Sequence, residues 1–468
     1  MGLLIKNGEM ITATDRLFVD IYCENERVTQ IGPGLTAKEG DTVIDAQGKW
    51  VIPGGIDVHT HLDLPFMGTV AKDDFESGTI AAAAGGTTSI IDFVIPSKKT
   101  PLMEAYKQWM EKAEGKAIFD YGFHMAVTWW DDSVKKELEK VFDTGMTSFK
   151  VFLAYKGAIG VEESELYQII EVAQRLGGLT TVHAENAEII DRLSKKLLAE
   201  GKTSPLDHAR SRPPEVEEEG INRALTLAYI HKAPIYFVHM SCALGVEKVR
   251  DASFKGRTVY GETCPQYLLL DETYYERPNW EGAKWVMSPP LREKSNQEAL
   301  WNGLKNGLIQ TVTTDHCPFD FCGQKDMSGK NDFSKIPNGI PGIEDRMLLM
   351  YTYGVTRGRF DVHKWIELCC SNPARIFNLY PKKGTIQVGS DADLVVFDPH
   401  YEGVISQKTS HHRVDYSAFE GFPVKGKVTH TTVRGTVVWE NGTFKGKAGF
   451  GKYLSRLPKV QGSSPAPV

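Results

Sequence analysis

The sequence has no run of about 18 apolar residues, the length a helix needs to cross a bilayer. Its opening decapeptide carries Lys6 and Glu9 where a secretory leader needs an unbroken apolar stretch. Gly2 is followed at position 6 by lysine, where N-myristoylation needs Ser or Thr. Cysteine is scarce, seven in 468 residues, odd in number and irregular in spacing, which argues against a disulfide framework and for a reducing compartment. A cytoplasmic protein with no membrane partner is the expectation. Basic blocks are missing too. The 54 Lys and Arg stand against 60 Asp and Glu, a formal net charge of −6, so no nucleic-acid partner is expected.

What is present is a globular composition, 41% hydrophobic and 24% charged, long enough to bury a large core. The first fifty residues read as short strands broken by Asn7-Gly8 and Gly32-Pro33-Gly34, and the same texture returns in 392–397 and 428–439, before an Asn441-Gly442 turn. This predicts one small β-sandwich domain built from both termini, 1–50 with 381–450, followed by a Gly/Ser/Pro-rich tail at 451–468.

Between them, 51–380 alternates strand-like and helix-like segments. Eight strand candidates stand at 52–61, 87–94, 121–128, 148–155, 179–185, 234–241, 258–264 and 309–316, with helical patterns such as 102–113, 161–176 and 297–306 between them. Eight buried strands with helical crossovers predict an α/β fold, a (β/α)8 TIM barrel. A doubly wound open sheet is the rival, but no Gly-x-Gly-x-x-Gly follows the first central strand, so a dinucleotide site has no support.

The first central strand ends in Asp57-Val58-His59-Thr60-His61, and alternate residues of a strand share a face, so two imidazoles point the same way. Later strands end in Lys150, His183, His239 and Asp315. In a barrel such strand ends converge at one mouth, which makes four histidines and an aspartate a candidate metal centre. Lys150 allows two readings: a buried ammonium paired with Asp315 or Glu185, or an amine that takes up carbon dioxide as a bridging carbamate between two cations. His124 reads as a satisfied core histidine, His316 as pointing away from Asp315, and His411-His412 as surface.

These residues resemble the amidohydrolase superfamily with a binuclear centre. The motifs Val51-Ile52-Pro53-Gly54-Gly55-Ile56-Asp57, Thr181-Val182-His183-Ala184-Glu185-Asn186, Gly261-Glu262-Thr263-Cys264-Pro265-Gln266-Tyr267 and Ile336-Pro337-Asn338-Gly339 are similar to those of dihydropyrimidinase and D-hydantoinase. The resemblance implies that His59 and His61 hold one ion with Asp315, that His183 and His239 hold a second, and that Lys150, as N6-carboxylysine, bridges them. Zinc is the family's usual metal; manganese, cobalt or nickel suit the same ligands. It further implies hydrolytic opening of a small cyclic amide, a 5-substituted hydantoin or a dihydropyrimidine, to an N-carbamoyl amino acid, by a homotetramer. Asp315 would shuttle the proton and Tyr155 would face the oxyanion, although an isolated tyrosine there is as readily a packing aromatic. Backbone groups at Ser288 and Asn338 would read the ring. Leu64, Phe66 and Phe152 would gate its exocyclic substituent, or merely pack beneath a loop. Allantoinase or dihydroorotase chemistry is the competing enzyme reading, and a non-catalytic scaffold with eroded ligands is the competing class.

Overall fold

The computed structural model describes residues 2–456, so the expected tail at 451–468 lies outside the described residues from 457 onward. Its centre is an eight-stranded parallel sheet with strands in chain order: β1 (Gly55–Thr60), β2 (Thr87–Val94), β3 (Asp120–Ala126), β4 (Ser148–Phe152), β5 (Leu179–His183), β6 (Ile235–Phe237), β7 (Val259–Thr263) and β8 (Thr311–Val312). The sheet closes beyond β8, where His316 bridges Thr60 in parallel and the His61 N–H donates to the His316 carbonyl at 2.9 Å. The strands are buried almost throughout, because helices cover the outside and packed side chains fill the inside. The expected TIM barrel is therefore the observed one.

Helices form where local chemistry starts and stops them. Phe75–Ala84 begins at a capping box in which Asp74 accepts from the N–H groups of Glu76 and Ser77. Glu163–Leu176 carries acidic residues in its first turn and ends at Gly177, in the left-handed conformation that terminates helices (φ 75°). Leu102–Ala113 buries Leu102, Ala105, Trp109 and Ala113, one stripe at helical spacing, and turns its charges to solvent.

Three expected strands differ most, the 234–241 run keeping regular pairing only over Ile235–Phe237. The 52–61 run is two strands in two sheets. Trp50–Pro53 pairs antiparallel with Leu394–Val404 outside the barrel, and β1 begins only at Gly55. Gly54 lies at the crossing, where a Cβ would come within 2.0 Å of the Thr88 hydroxyl. The expected 309–316 strand keeps regular pairing only at Thr311–Val312, since Asp315 adopts a left-handed backbone (φ 52°) that turns the chain.

The chain ends build a second unit. A four-stranded sheet (Leu3–Lys6, Asp20–Glu24, Arg27–Gly32, Thr42–Asp45) packs Leu3, Ile5 and Ile21 against Val51, Leu394 and Val396 of a seven-stranded sheet drawn from both termini. Buried ions tie this unit to the barrel: Lys383 Nζ contacts Asp120 at 2.7 Å, Asp391 at 3.1 Å and Asp393 at 2.5 Å. Removing one partner from a buried ion cluster leaves the others uncompensated. Lys383→Met is therefore expected to lower the unfolding free energy by about 3–5 kcal/mol, measured by denaturant titration; an unchanged midpoint would refute the role given to this cluster.

Candidate active site

One pocket at the C-terminal mouth of the barrel is lined by His59, His61, Leu64, Phe66, Lys150, Phe152, Tyr155, His183, His239, Ser288, Asp315 and Asn338, so every site position expected from sequence opens onto one space. His59 and His61 leave the end of β1 on one face, their rings 5.1 Å apart. Their Nε2 atoms lie 3.2 and 3.0 Å from the same oxygen, Asp315 Oδ1, and the three side chains form a group able to hold a cation. His239 stands beside both halves of the site, its ring 5.3 Å from His59 and 4.5 Å from His183.

Lys150 lies between these groups. It is fully buried, and its Nζ has no hydrogen-bond partner among the described residues; the nearest rings are Phe93 at 4.9 Å and Phe152 at 5.1 Å. The alternative of a lysine paired with Asp315 or Glu185 is not what the structure contains. Burial pulls the ammonium down to about 7, against the opposing pull of Glu262 and Asp315. His61 Nδ1 and His239 Nδ1 are likewise buried without partners among the described residues. Three orphaned nitrogens in one cluster suit a site that takes up further groups, and the His/carboxylate donor set fits divalent metal ions.

Other side chains orient the imidazoles. Glu262, at the end of β7, is in short contact with His59 Nδ1, and its second oxygen accepts from Tyr236 at 2.6 Å. This turns His59 Nε2 towards Asp315. Burial lifts the Glu262 carboxyl to about 7. His183 Nε2 meets Glu185 at 2.8 Å, and Glu185 is held in turn by Arg212 at 2.6 Å. Burial would raise Glu185, but Arg212 and His183 outweigh it and bring it to about 2. Burial opposes ionisation of Asp315 as well, yet His59 and His61 prevail and hold it below the usual carboxylate range. The backbone is strained where it serves the site: His239 (φ 39°), Asp315 (φ 52°) and Tyr155 (φ 58°) all occupy left-handed conformations.

The opposite wall is apolar. Phe66 stands on a hairpin of Pro65–Phe66 and Thr69–Val70, turned by Met67 (φ 50°) and Gly68 (φ 80°), and meets Tyr155 edge-on at 5.7 Å. Phe152 meets Tyr155 at 6.0 Å. Asn338 Nδ2 donates to Ser288 Oγ at 3.1 Å, joining the two loops opposite Tyr155.

Residues 50–438 match the profile described as amidohydrolase family. The chain is 52% identical over 457 residues to a D-hydantoinase of Geobacillus stearothermophilus, covering 97% of each chain. It is 43% identical to a dihydropyrimidinase of Rattus norvegicus, covering 97% of this chain and 89% of that one. The chain belongs to the amidohydrolase family. Among solved structures this amidohydrolase superposes on a dihydropyrimidinase from Brevibacillus agri with a TM-score of 0.97 at 49% identity, covering 98% of this chain and 100% of that one. It superposes on an L-hydantoinase from Arthrobacter aurescens with a TM-score of 0.88 at 32% identity, covering 97% and 99%.

Other expectations for the amidohydrolase also meet the structure. His124 is a satisfied core residue, bonded to Ser148 Oγ at 2.5 Å and the Val58 carbonyl at 3.0 Å. His316 turns away from the pocket to Asp73 at 3.1 Å. His412 is buried, not on the surface, because it folds inward beside Asp73 and His316, while its neighbour His411 pairs with Glu344. Sequence reading gave no role to Glu262, Arg212 or Asp57. Asp57 accepts from the Thr314 hydroxyl at 2.6 Å and so braces the turn that carries Asp315. A charged residue ending an apolar strand was the available signal for Glu262. Because partners of metal-site imidazoles commonly govern affinity, Glu262→Gln is expected to weaken divalent-metal retention about 10–100-fold, measured by metal content after graded chelator dialysis; retention equal to the parent would remove Glu262 from the orienting role.

Proposed function

We propose that this amidohydrolase opens the ring of 5-substituted hydantoins and dihydropyrimidines, giving N-carbamoyl amino acids. The observation that carries the reading is the meeting of His59, His61, His183, His239 and Asp315 around the partnerless Lys150 nitrogen, beside an apolar wall. His59, His61 and Asp315 would hold one divalent ion, His183 and His239 a second, with carboxylated Lys150 between them. Carbamate formation needs the free amine, and burial brings Lys150 into the pH range where that form is populated. Two such ions, zinc or else manganese, cobalt or nickel, supply Lewis acidity that polarises the amide carbonyl and acidifies water, whose pKa falls from 15.7 to about 7 at a single zinc.

The chain's own groups do the rest. Asp315, kept ionised by His59 and His61, accepts a proton as the water oxygen bonds to the ring carbonyl carbon. It passes that proton to the ring nitrogen as the C–N bond breaks, so the nitrogen leaves as a neutral ureido NH2, and the new carboxylic acid releases the water's second proton to solvent, leaving a carboxylate. Burial pushes the Tyr155 phenol above its ordinary value, keeping its proton available to the carbonyl oxygen as negative charge develops there. Ser288 and Asn338 face the ring's N–H and C=O groups, and Leu64, Phe66 and Phe152 surround the exocyclic substituent.

Among the described residues no arginine lines the pocket, and Arg212 is engaged by Glu185, which disfavours the carboxylate of dihydroorotate. The complete ligand set disfavours a non-catalytic scaffold. Higher identity to the relatives named for the D hand than to the one named for the L hand favours D substituents. Exposed apolar side chains such as Phe18, Ile230 and Phe254 are available for subunit contacts in a cytoplasmic homotetramer, whose subunit number sedimentation would count. In a panel of dihydrouracil, both enantiomers of a 5-aryl hydantoin, allantoin and dihydroorotate, turnover is expected for the first ring and the D-hydantoin; turnover restricted to the last two would overturn the assignment. Lys150→Ala is expected to lose metal affinity and ring opening by about 100-fold or more, beyond the range for an outer partner, with an unchanged circular dichroism spectrum. Two retained ions and parental rates would exclude the bridge.

A further inference from the structure

The segment Val286–Pro289 passes the pocket without helix or strand pairing, yet nearly all its carbonyls are held, and by side chains. The Val286 carbonyl accepts from Lys325 Nζ at 2.8 Å and from the Gly339 N–H at 3.0 Å. The Met287 carbonyl accepts from His208 Nε2 at 2.8 Å. The Pro289 carbonyl accepts from the Tyr267 hydroxyl at 2.8 Å. Between them, the Ser288 carbonyl has no donor among the described residues, and Ser288 lines the pocket.

The three donors are built in, not incidental. Each is 3% exposed or less, and they arrive from separate parts of the barrel: His208 from the helix Pro205–Arg210, Tyr267 from the helix Pro265–Leu269 after β7, and Lys325 from the segment after β8. No carboxylate acts on Lys325 among the described residues; its other contact is the Ala283 carbonyl at 3.2 Å. Burial pulls Lys325 down to about 7, so near neutral pH it is present as ammonium and as amine, and either form donates an N–H; burying such a group against backbone alone is costly unless the backbone it fixes matters. Burial, reinforced by Arg212, keeps the His208 imidazole neutral, and burial keeps Tyr267 protonated, so both remain single-proton donors. The Gly339 bond adds the Asn338 loop to the same anchor point.

We infer that Lys325, His208 and Tyr267 are positioning residues that clamp the carbonyls flanking Ser288 and so present the free Ser288 carbonyl to a substrate ring N–H. The inference deepens the ring-opening reading above, on which it rests, and narrows the substrate class to rings with an unsubstituted N–H beside the scissile amide. A fixed acceptor rejects a ring lacking the matching donor, because a buried polar group is then left unpaired.

The test uses metal-loaded full-length protein and the variants Tyr267→Phe, His208→Ala, His208→Gln and Lys325→Met. It measures kcat and KM for a 5-substituted hydantoin, and competitive inhibition constants for its N1-methyl and N3-methyl analogues. Tyr267→Phe removes one hydroxyl and serves should Lys325→Met not fold. The clamp predicts a KM increase of about tenfold, the scale of one hydrogen bond, with kcat within twofold. It also predicts recovery in His208→Gln, whose amide can donate from the position of Nε2, and an unchanged inhibition constant for the analogue whose methyl group blocks Ser288. An unmoved KM, or equal losses in kcat and in both inhibition constants, would overturn the clamp. A parent protein that opens no ring would sink the ring-opening reading through the parent arm alone, and the clamp with it.

Discussion

The structure depends on one closure. Until His316 bridges Thr60 and the His61 N–H reaches the His316 carbonyl, the sheet is open and its first and last strands have no reason to meet. That bond lies one residue from Asp315 and at His61 itself, so the contact that completes the barrel also brings together the residues that could hold a cation. Asp57 reinforces the junction from within: it accepts from Thr314, while Arg346 bonds the carbonyls of Ile56 and Val312 from the same side. The left-handed backbone of Asp315 is the local consequence. Such a conformation costs on the order of 1–3 kcal/mol for a non-glycine residue and persists only where surrounding bonds impose it.

Strand and helix positions were largely legible because burial imposes simple periodicities. The 87–94 and 102–113 segments needed only an apolar run and a helical stripe, and the structure has Thr87–Val94 and Leu102–Ala113. Legibility failed where tertiary contact overrides pattern. The Pro53-Gly54-Gly55 break between Trp50–Pro53 and β1 is a local signal that a single 52–61 strand runs through, and Gly54 is required there because Thr88, distant in sequence, leaves no room for a Cβ. The shortening of β8 follows from the turn at Asp315, which an apolar run cannot announce. The candidate ligands were legible because a histidine or lysine closing an apolar strand is chemically conspicuous. His208, Tyr267 and Lys325 were not, since each acts on a backbone carbonyl and leaves no complementary side chain to find.

Three carboxyls share the site and titrate apart because their surroundings differ. Glu185, between Arg212 and His183, is driven to about 2, whereas Glu262, facing a phenol and an imidazole in a dry interior, rises to about 7. Asp315 lies below its ordinary value because His59 and His61 outweigh its burial. Separation of this kind assigns roles without reference to sequence position. A group held strongly ionised by an arginine is a poor proton acceptor, which leaves Glu185 to orient His183. Glu262 is out of reach behind His59. Only Asp315 is at once ionised, partly open to the pocket and adjacent to two imidazoles.

The two sides of the pocket therefore meet different demands. On the strand-end side, charge and imidazole must be placed to within fractions of an ångström, and residues on rigid β-strands with buried partners provide that. On the facing side, Phe66 stands on a short hairpin whose turn is set by Met67 and Gly68, separate from the strand ends that carry the imidazoles. Ser288 lies between these extremes, on irregular chain made rigid by side chains from three elements. On the proposed ring-opening reading, a ring held through a fixed backbone carbonyl would be presented identically whatever group projects towards Phe66, so the chemistry would stay constant while the apolar wall selected the substituents.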